Sequence, residues 1–198
     1  MNTFSRVAIA LVGMTGLVAA QPKTEPKAGG DMKAADAKAG AMPEMKPPAE
    51  LADMAKESAG TWHCKGQGMD PHTMKMADMT ATMKIKLDVA NWWIHGSFES
   101  KMGKEPFQFE SFTTVDPASK KWKRVMVESG GAWSSGESAG MQGKKVDWDL
   151  TSHSAMGDAM FRDHEDMSDP KVGAKMWGEF SQDKGKSWTK VYEMTCKK

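Results

Sequence analysis

Leucine and isoleucine are scarce here: past residue 20 the chain holds three Leu (Leu51, Leu87, Leu150) and two Ile (Ile85, Ile94). An ordinary aliphatic core is therefore out of reach. Cysteine is rarer still, with only Cys64 and Cys196. There is no Cys-x-x-Cys-His for haem attachment, and no Cys near residue 20 to carry a lipid anchor. Net charge is also missing, with 27 Lys+Arg against 26 Asp+Glu. That balance argues against nucleic acid or an anionic membrane as partner, because both reward a basic surface. No apolar run after residue 20 reaches spanning length. Gly-x-Ser-x-Gly, His-Glu-x-x-His and phosphate-loop motifs are absent, so the common hydrolase, metalloprotease and nucleotide-binding signatures drop out.

The first twenty residues read as an export signal. Arg6 supplies the positive start, residues 7–19 the apolar run, and Val18-Ala19-Ala20 the small residues of a cleavage site. The signal holds one Arg and no acid, so its removal leaves 26 residues of each sign. A periplasmic or secreted protein with no membrane anchor is expected. Residues 21–47 contain Ala, Lys, Pro, Gly, Glu and some Met but no aromatic residue. Such a segment cannot bury enough apolar area to offset chain entropy, so it reads as a disordered tether. The folded domain is then 48–198.

Within that domain the spacing of Leu51, Met54, Ala55 and Ser58 predicts a short helix over 49–58, entered at Pro48 and stopped at Gly60. Beyond Gly60 the period becomes two. Residues 80–88 alternate Ala81, Met83, Ile85 and Leu87 with Thr82, Lys84, Lys86 and Asp88, a half-buried strand. Similar runs cover 61–66, 92–99, 106–115, 121–128, 132–139, 145–152, 159–167, 175–182 and 187–196. Asp-Pro and Gly-containing turns separate several of them. About ten short, evenly spaced strands after one helix predict an all-β fold, an antiparallel up-and-down barrel or a sandwich, with the barrel preferred.

The cysteines fit that closure. Cys64 lies in the first strand and Cys196 in the last, which are antiparallel neighbours in a closed meander of even strand number. Each shares a face with its strand's large apolar residues, so a disulfide is expected in an exported chain, with two free buried thiols as the alternative. Seventeen Met past residue 20 and eight Trp must take the core positions that Leu and Ile usually fill. The flexible thioether suits an irregular or accommodating interior.

The helix running into Gly60-Thr61-Trp62 resembles the first-strand motif of lipocalins and related small barrels, in which the Trp packs over one barrel end. A larger part of the chain, roughly 49–198, resembles the exported bacterial domain of unknown function 1579 family, itself regarded as lipocalin-like. The matching pieces are Gly60-Thr61-Trp62, then Thr114-Val115-Asp116-Pro117 with Lys120, Lys121 and Trp122. The ending Asp183-Lys184-Gly185-Lys186-Ser187-Trp188-Thr189-Lys190 with Glu193-Met194-Thr195 completes them. The Met richness, the two Cys and Trp92-Trp93 depart from the pattern. The resemblance implies a lipocalin-like barrel and transfers no catalytic set.

Four sets of residues could carry chemistry. Inward aromatic and Met side chains, namely Trp92, Phe98, Phe107, Phe109, Trp133, Trp148, Met176 and Phe180, could line a cavity for a small hydrophobic or amphipathic molecule. They could equally fill the barrel. Met69, His72, Met74 and Met76 bring together thioether and imidazole, the ligands of Cu(I) sites, so copper is the alternative cofactor. His95, beside Trp92-Trp93, could meet a ligand or a haem if it faces inward, and could equally face out. The carboxylates around His164 in Arg162-Asp163-His164-Glu165-Asp166 could bind a divalent metal or act in acid–base chemistry. Alternation, however, places Asp163 and Glu165 on one face and Arg162, His164 and Asp166 on the other, and a solvated strand face is the preferred reading. No nucleophile or acid–base pair stands out. The expectation is a non-enzymatic, monomeric barrel without a resident cofactor that binds a small hydrophobic molecule, with periplasmic copper binding as the alternative.

Overall fold

The computed structural model describes residues 45–70, 73–102 and 105–198. The export signal read over 1–20, nearly all of the tether read over 21–47, and His72 lie outside the described residues. Helix α1 (Ala49–Ser58) leads into ten strands. They are β1 (Gly60–Met69), β2 (Met76–Asp88), β3 (Trp93–Met102), β4 (Glu105–Val115) and β5 (Trp122–Glu128), followed by β6 (Trp133–Ser138), β7 (Lys145–Ser154), β8 (Gly157–Asp166), β9 (Ala174–Ser181) and β10 (Thr189–Lys197). Every strand pairs antiparallel with its sequence neighbours, and β10 returns to β1, so the meander is a closed barrel. Closure removes the unpaired strand edges that would otherwise template association.

Alternation sets the two faces. Met79 and Ala81 on β2, Ile94 and Phe98 on β3, and Val146, Trp148 and Leu150 on β7 are all buried. Thr80, Asp147 and Asp149, which alternate with them, are exposed. At the seam, Cys64 and Cys196 are direct register partners and form a disulfide, with both sulfurs buried. The bridge spans 132 residues of sequence, so it ties the first strand to the last.

Helix α1 closes one end. Leu51 is fully buried and Ala55 nearly so, and both pack with Ile94, Val115, Trp122 and Trp148. Burial of a Leu side chain contributes roughly 1.5–3 kcal/mol. The helix C-terminus is tied down by Trp62, whose Nε1 donates to the Ser58 carbonyl at 2.8 Å. Lys198 Nζ donates to the Glu57 carbonyl at 2.7 Å and lies 4.9 Å from the centre of the Trp62 ring. In an up-and-down barrel the odd-numbered strands then run away from this end. The last residues of β1, β5 and β7 therefore stand at the opposite rim, with the first residues of β2, β6 and β8.

Candidate functional site

The barrel is not filled. A cavity of about 390 Å³ reaches from Met54 and Ser58 of α1 to Met69, Met74 and Glu128 at the opposite rim. That volume falls within the range of small-molecule sites. Thioethers dominate its wall: Met54, Met69, Met74, Met79, Met83, Met126, Met176 and Met194 all contribute. Phe98, Phe107 and Phe109 form an aromatic panel from β3 and β4, with the Phe98 and Phe109 rings stacked at 4.7 Å between centroids. Two hydrophobic clusters flank the space. One is gathered around Trp148 and the helix, the other around the disulfide.

One side of the wall is polar. Arg124 on β5 reaches β8, where Nη1 donates to Asp163 Oδ2 at 2.7 Å and Nη2 to Glu165 Oε1 at 2.6 Å. Its Nε donates to Thr113 Oγ1 at 3.3 Å, and its Cζ lies 3.9 Å from the centre of the Trp148 ring. Tyr192 on β10 donates its hydroxyl to Asp163 Oδ1, so both carboxylate oxygens are engaged. These groups are withdrawn from water: the side chains of Arg124, Asp163 and Glu165 are 13%, 6% and 20% exposed. Burial works against the Arg124 charge, but Glu165 and Asp163 together hold its pKa above the ordinary value. Burial pushes the Asp163 carboxyl up, with Arg124 pulling the other way. Burial, and then the neighbouring Asp163, hold the Tyr192 phenol well above its usual range. Gly178 leaves room for this arrangement, because a Cβ there would overlap the Tyr192 ring and come within 2.7 Å of Phe161 Cζ.

Glu128, the last residue of β5, lies apart from that network. It lines the cavity, and burial alone raises its carboxyl above the ordinary range. No cation or donor among the described residues pairs with its side chain.

Several residues expected from the sequence stand elsewhere. Phe98, Phe107, Phe109 and Met176 line the cavity, but Trp92, Trp133, Trp148 and Phe180 do not. Trp133 faces outward, 45% exposed and stacked on His153. The inner face of β6 must stay small, because a Cβ on Gly136 would come 2.7 Å from Leu150 Cα, so Ser134, Gly136 and Ser138 occupy it. Trp92 belongs to the β2–β3 turn and not to a strand, since Val89, Ala90 and Asn91 all take positive φ and delay β3 to Trp93. Trp148 is buried beneath Arg124, one layer behind the cavity wall. Phe180 has the inner-face parity of Met176 but sits at the end of β9, outside the wall.

His95 faces out, stacked on Phe112 and 2.6 Å from Glu110 Oε2. Met69 and Met74 both line the cavity at the rim, whereas Met76 is outside the wall and 37% exposed.

Sequence reasoning missed the polar side. The separation of Asp163 and Glu165 from Arg162, His164 and Asp166 was visible, but the first pair faces the interior and not solvent. The available signal was Arg124 between Trp122 and Met126, two residues that both turn inward. It was hidden because Val125 and Val127, on the outer face, are 38% and 46% exposed apolar residues.

Compared with described protein families and with curated proteins, the sequence matches none. Among solved structures, a crystal structure of Rv2717c from M. tuberculosis superposes with a TM-score of 0.56. The match covers 76% of this chain and 98% of that one, at 10% sequence identity. At that identity the likeness shows a shared barrel fold.

Proposed function

We propose that this chain is an exported, non-enzymatic carrier that holds one small amphipathic molecule inside a lipocalin-like barrel of the domain of unknown function 1579 kind. The observation that carries the reading is the cavity itself, about 390 Å³ with a wall of Met and Phe and a polar side. Thioether side chains adjust their torsions at little cost, which suits an interior shaped around a guest. A role without catalysis is supported by the bonding of the polar groups. Arg124, Asp163 and Tyr192 spend their hydrogen bonds on one another, on Glu165 and on Thr113, so this network offers the guest no free acid or base.

Nile red, a neutral hydrophobic dye, tests the reading in the native protein. Saturable fluorescence enhancement is expected, together with its loss in Met83→Trp, which places an indole in the cavity. A dye response absent from native protein, or unchanged by Met83→Trp, overturns it. A copper-handling role rests on Met69 and Met74 both lining the cavity at the rim. Cu(I) retained through dialysis against a weak chelator, and lost in Met69→Leu with Met74→Leu, would favour it.

A further inference from the structure

We propose that the cavity selects guests with a protonated amine or quaternary ammonium head, seated between the Glu128 carboxylate and the face of Phe109. The inference rests on the carrier reading and names the chemical class of its guest. Among the described residues, four charged groups line the cavity: one cation, Arg124, and three carboxyls, Glu128, Asp163 and Glu165. Neither Lys nor His lines it among the described residues. Arg124 is the only cation among the described lining residues that could receive a carboxylate head, and its guanidinium is occupied. Both terminal nitrogens are committed to β8, Nε to Thr113, and one face to Trp148. A fatty-acid-like anion would have to break that buried pairing or enter unpaired beside carboxylates, and either course is costly.

Glu128 offers the opposite. It is inward, partly shielded from water and unpaired among the described residues. Phe109 is its register partner on β4 and also lines the cavity. An aromatic face beside a carboxylate attracts a cation from two directions, and both attractions strengthen with desolvation. Glu128 stands at the rim opposite α1, so a head group seated there would leave its apolar tail among Met126, Met83 and Met176, deeper in the barrel.

Decylammonium, decanol and decanoate, which share one chain and differ in the head, test the inference by calorimetric titration into the wild-type protein at neutral pH, with Nile red binding measured alongside. The ammonium is expected to bind roughly tenfold or more tighter than the carboxylate, with the alcohol between. In Glu128→Gln, shown folded by its thermal unfolding, that ranking should collapse toward the order set by the chain alone. Decanoate binding as tightly as decylammonium overturns the proposed guest class while Nile red binding keeps the carrier reading. A wild-type ranking that persists in a folded Glu128→Gln overturns the assigned seat. Failure of Nile red and all three amphiphiles removes the carrier reading, and this inference with it. The wild-type ranking decides the guest class even where Glu128→Gln does not fold.

Discussion

Arg124 and Asp163 meet at 2.7 Å across the barrel interior, although 39 residues separate them in the chain. β5 and β8 are not neighbours in the sheet, so this contact spans β6 and β7 on the inside of the barrel and does not run along a ladder. Backbone pairing fixes each strand to the next, and the Arg124–Asp163–Glu165 group ties β5 to β8 over the two strands between them.

Arg124→Met should therefore be expensive. It leaves Asp163 and Glu165 buried without their cation, a loss of about 3–5 kcal/mol for a broken buried pair. Adding Asp163→Asn and Glu165→Gln removes the orphaned charges and should recover much of that loss. Urea denaturation of the single and triple variants checks both halves. A single variant within about 1 kcal/mol of wild type would mean that water reaches these carboxylates.

The disulfide acts on the unfolded chain more than on the barrel. Cys64 and Cys196 are already register partners, held by the β1–β10 ladder on either side. Replacing both with Ala frees a loop spanning 132 residues of sequence, worth about 4–5 kcal/mol in the chain-entropy treatment. The double variant should keep the barrel's circular dichroism but unfold at lower denaturant. Reductant should shift the wild-type midpoint and leave the variant's unchanged.

The sequence revealed the strands more readily than the cavity, for a physical reason. A strand with one wet and one dry face writes its period into the sequence, as Val146, Trp148 and Leu150 do against Asp147 and Asp149. The closing pair Cys64 and Cys196 follows from strand order alone. Trp133 misled because size and apolarity do not specify a face. What placed it outside was the closeness of β7 to Gly136, a tertiary fact. Asp163 and Glu165 misled in the opposite direction. A carboxylate pair on an alternating strand looks solvated until the cation that accompanies it inward, Arg124, is located on a strand three places earlier.

The β2–β3 turn offers a test of local strain. Val89 has φ 46° and is 55% exposed, so a β-branched residue sits in the left-handed region with little burial to offset it. That conformation costs about 1–2 kcal/mol for an ordinary L-residue, and Asn tolerates it better. Val89→Asn should stabilise the protein by about 1 kcal/mol, read as a higher denaturation midpoint with an unchanged slope. A neutral or destabilising result would show that the Val89 side chain makes a contribution that its exposure conceals.

Tyr192 gives the clearest pH test, because it is the only tyrosine in the chain. Alkaline difference absorbance therefore reads this phenol alone. Burial raises its pKa well above the ordinary value, and Asp163, which accepts its proton in a hydrogen bond, adds to the effect. Glu165 acts in the same direction, and Arg124 opposes them. An acid whose folded pKa lies above its unfolded value contributes stability that is complete below the unfolded pKa, about 10 for Tyr, and is lost as pH rises past it. The folded protein should show no tyrosinate signal at pH about 10, and the signal should appear together with unfolding at higher pH. In Asp163→Asn the charge is gone but the burial remains, so the phenol should titrate lower than in wild type while staying above the free value. Ordinary titration in the folded wild-type protein would place the Tyr192 hydroxyl in water, and the polar side of the cavity would then be open to solvent.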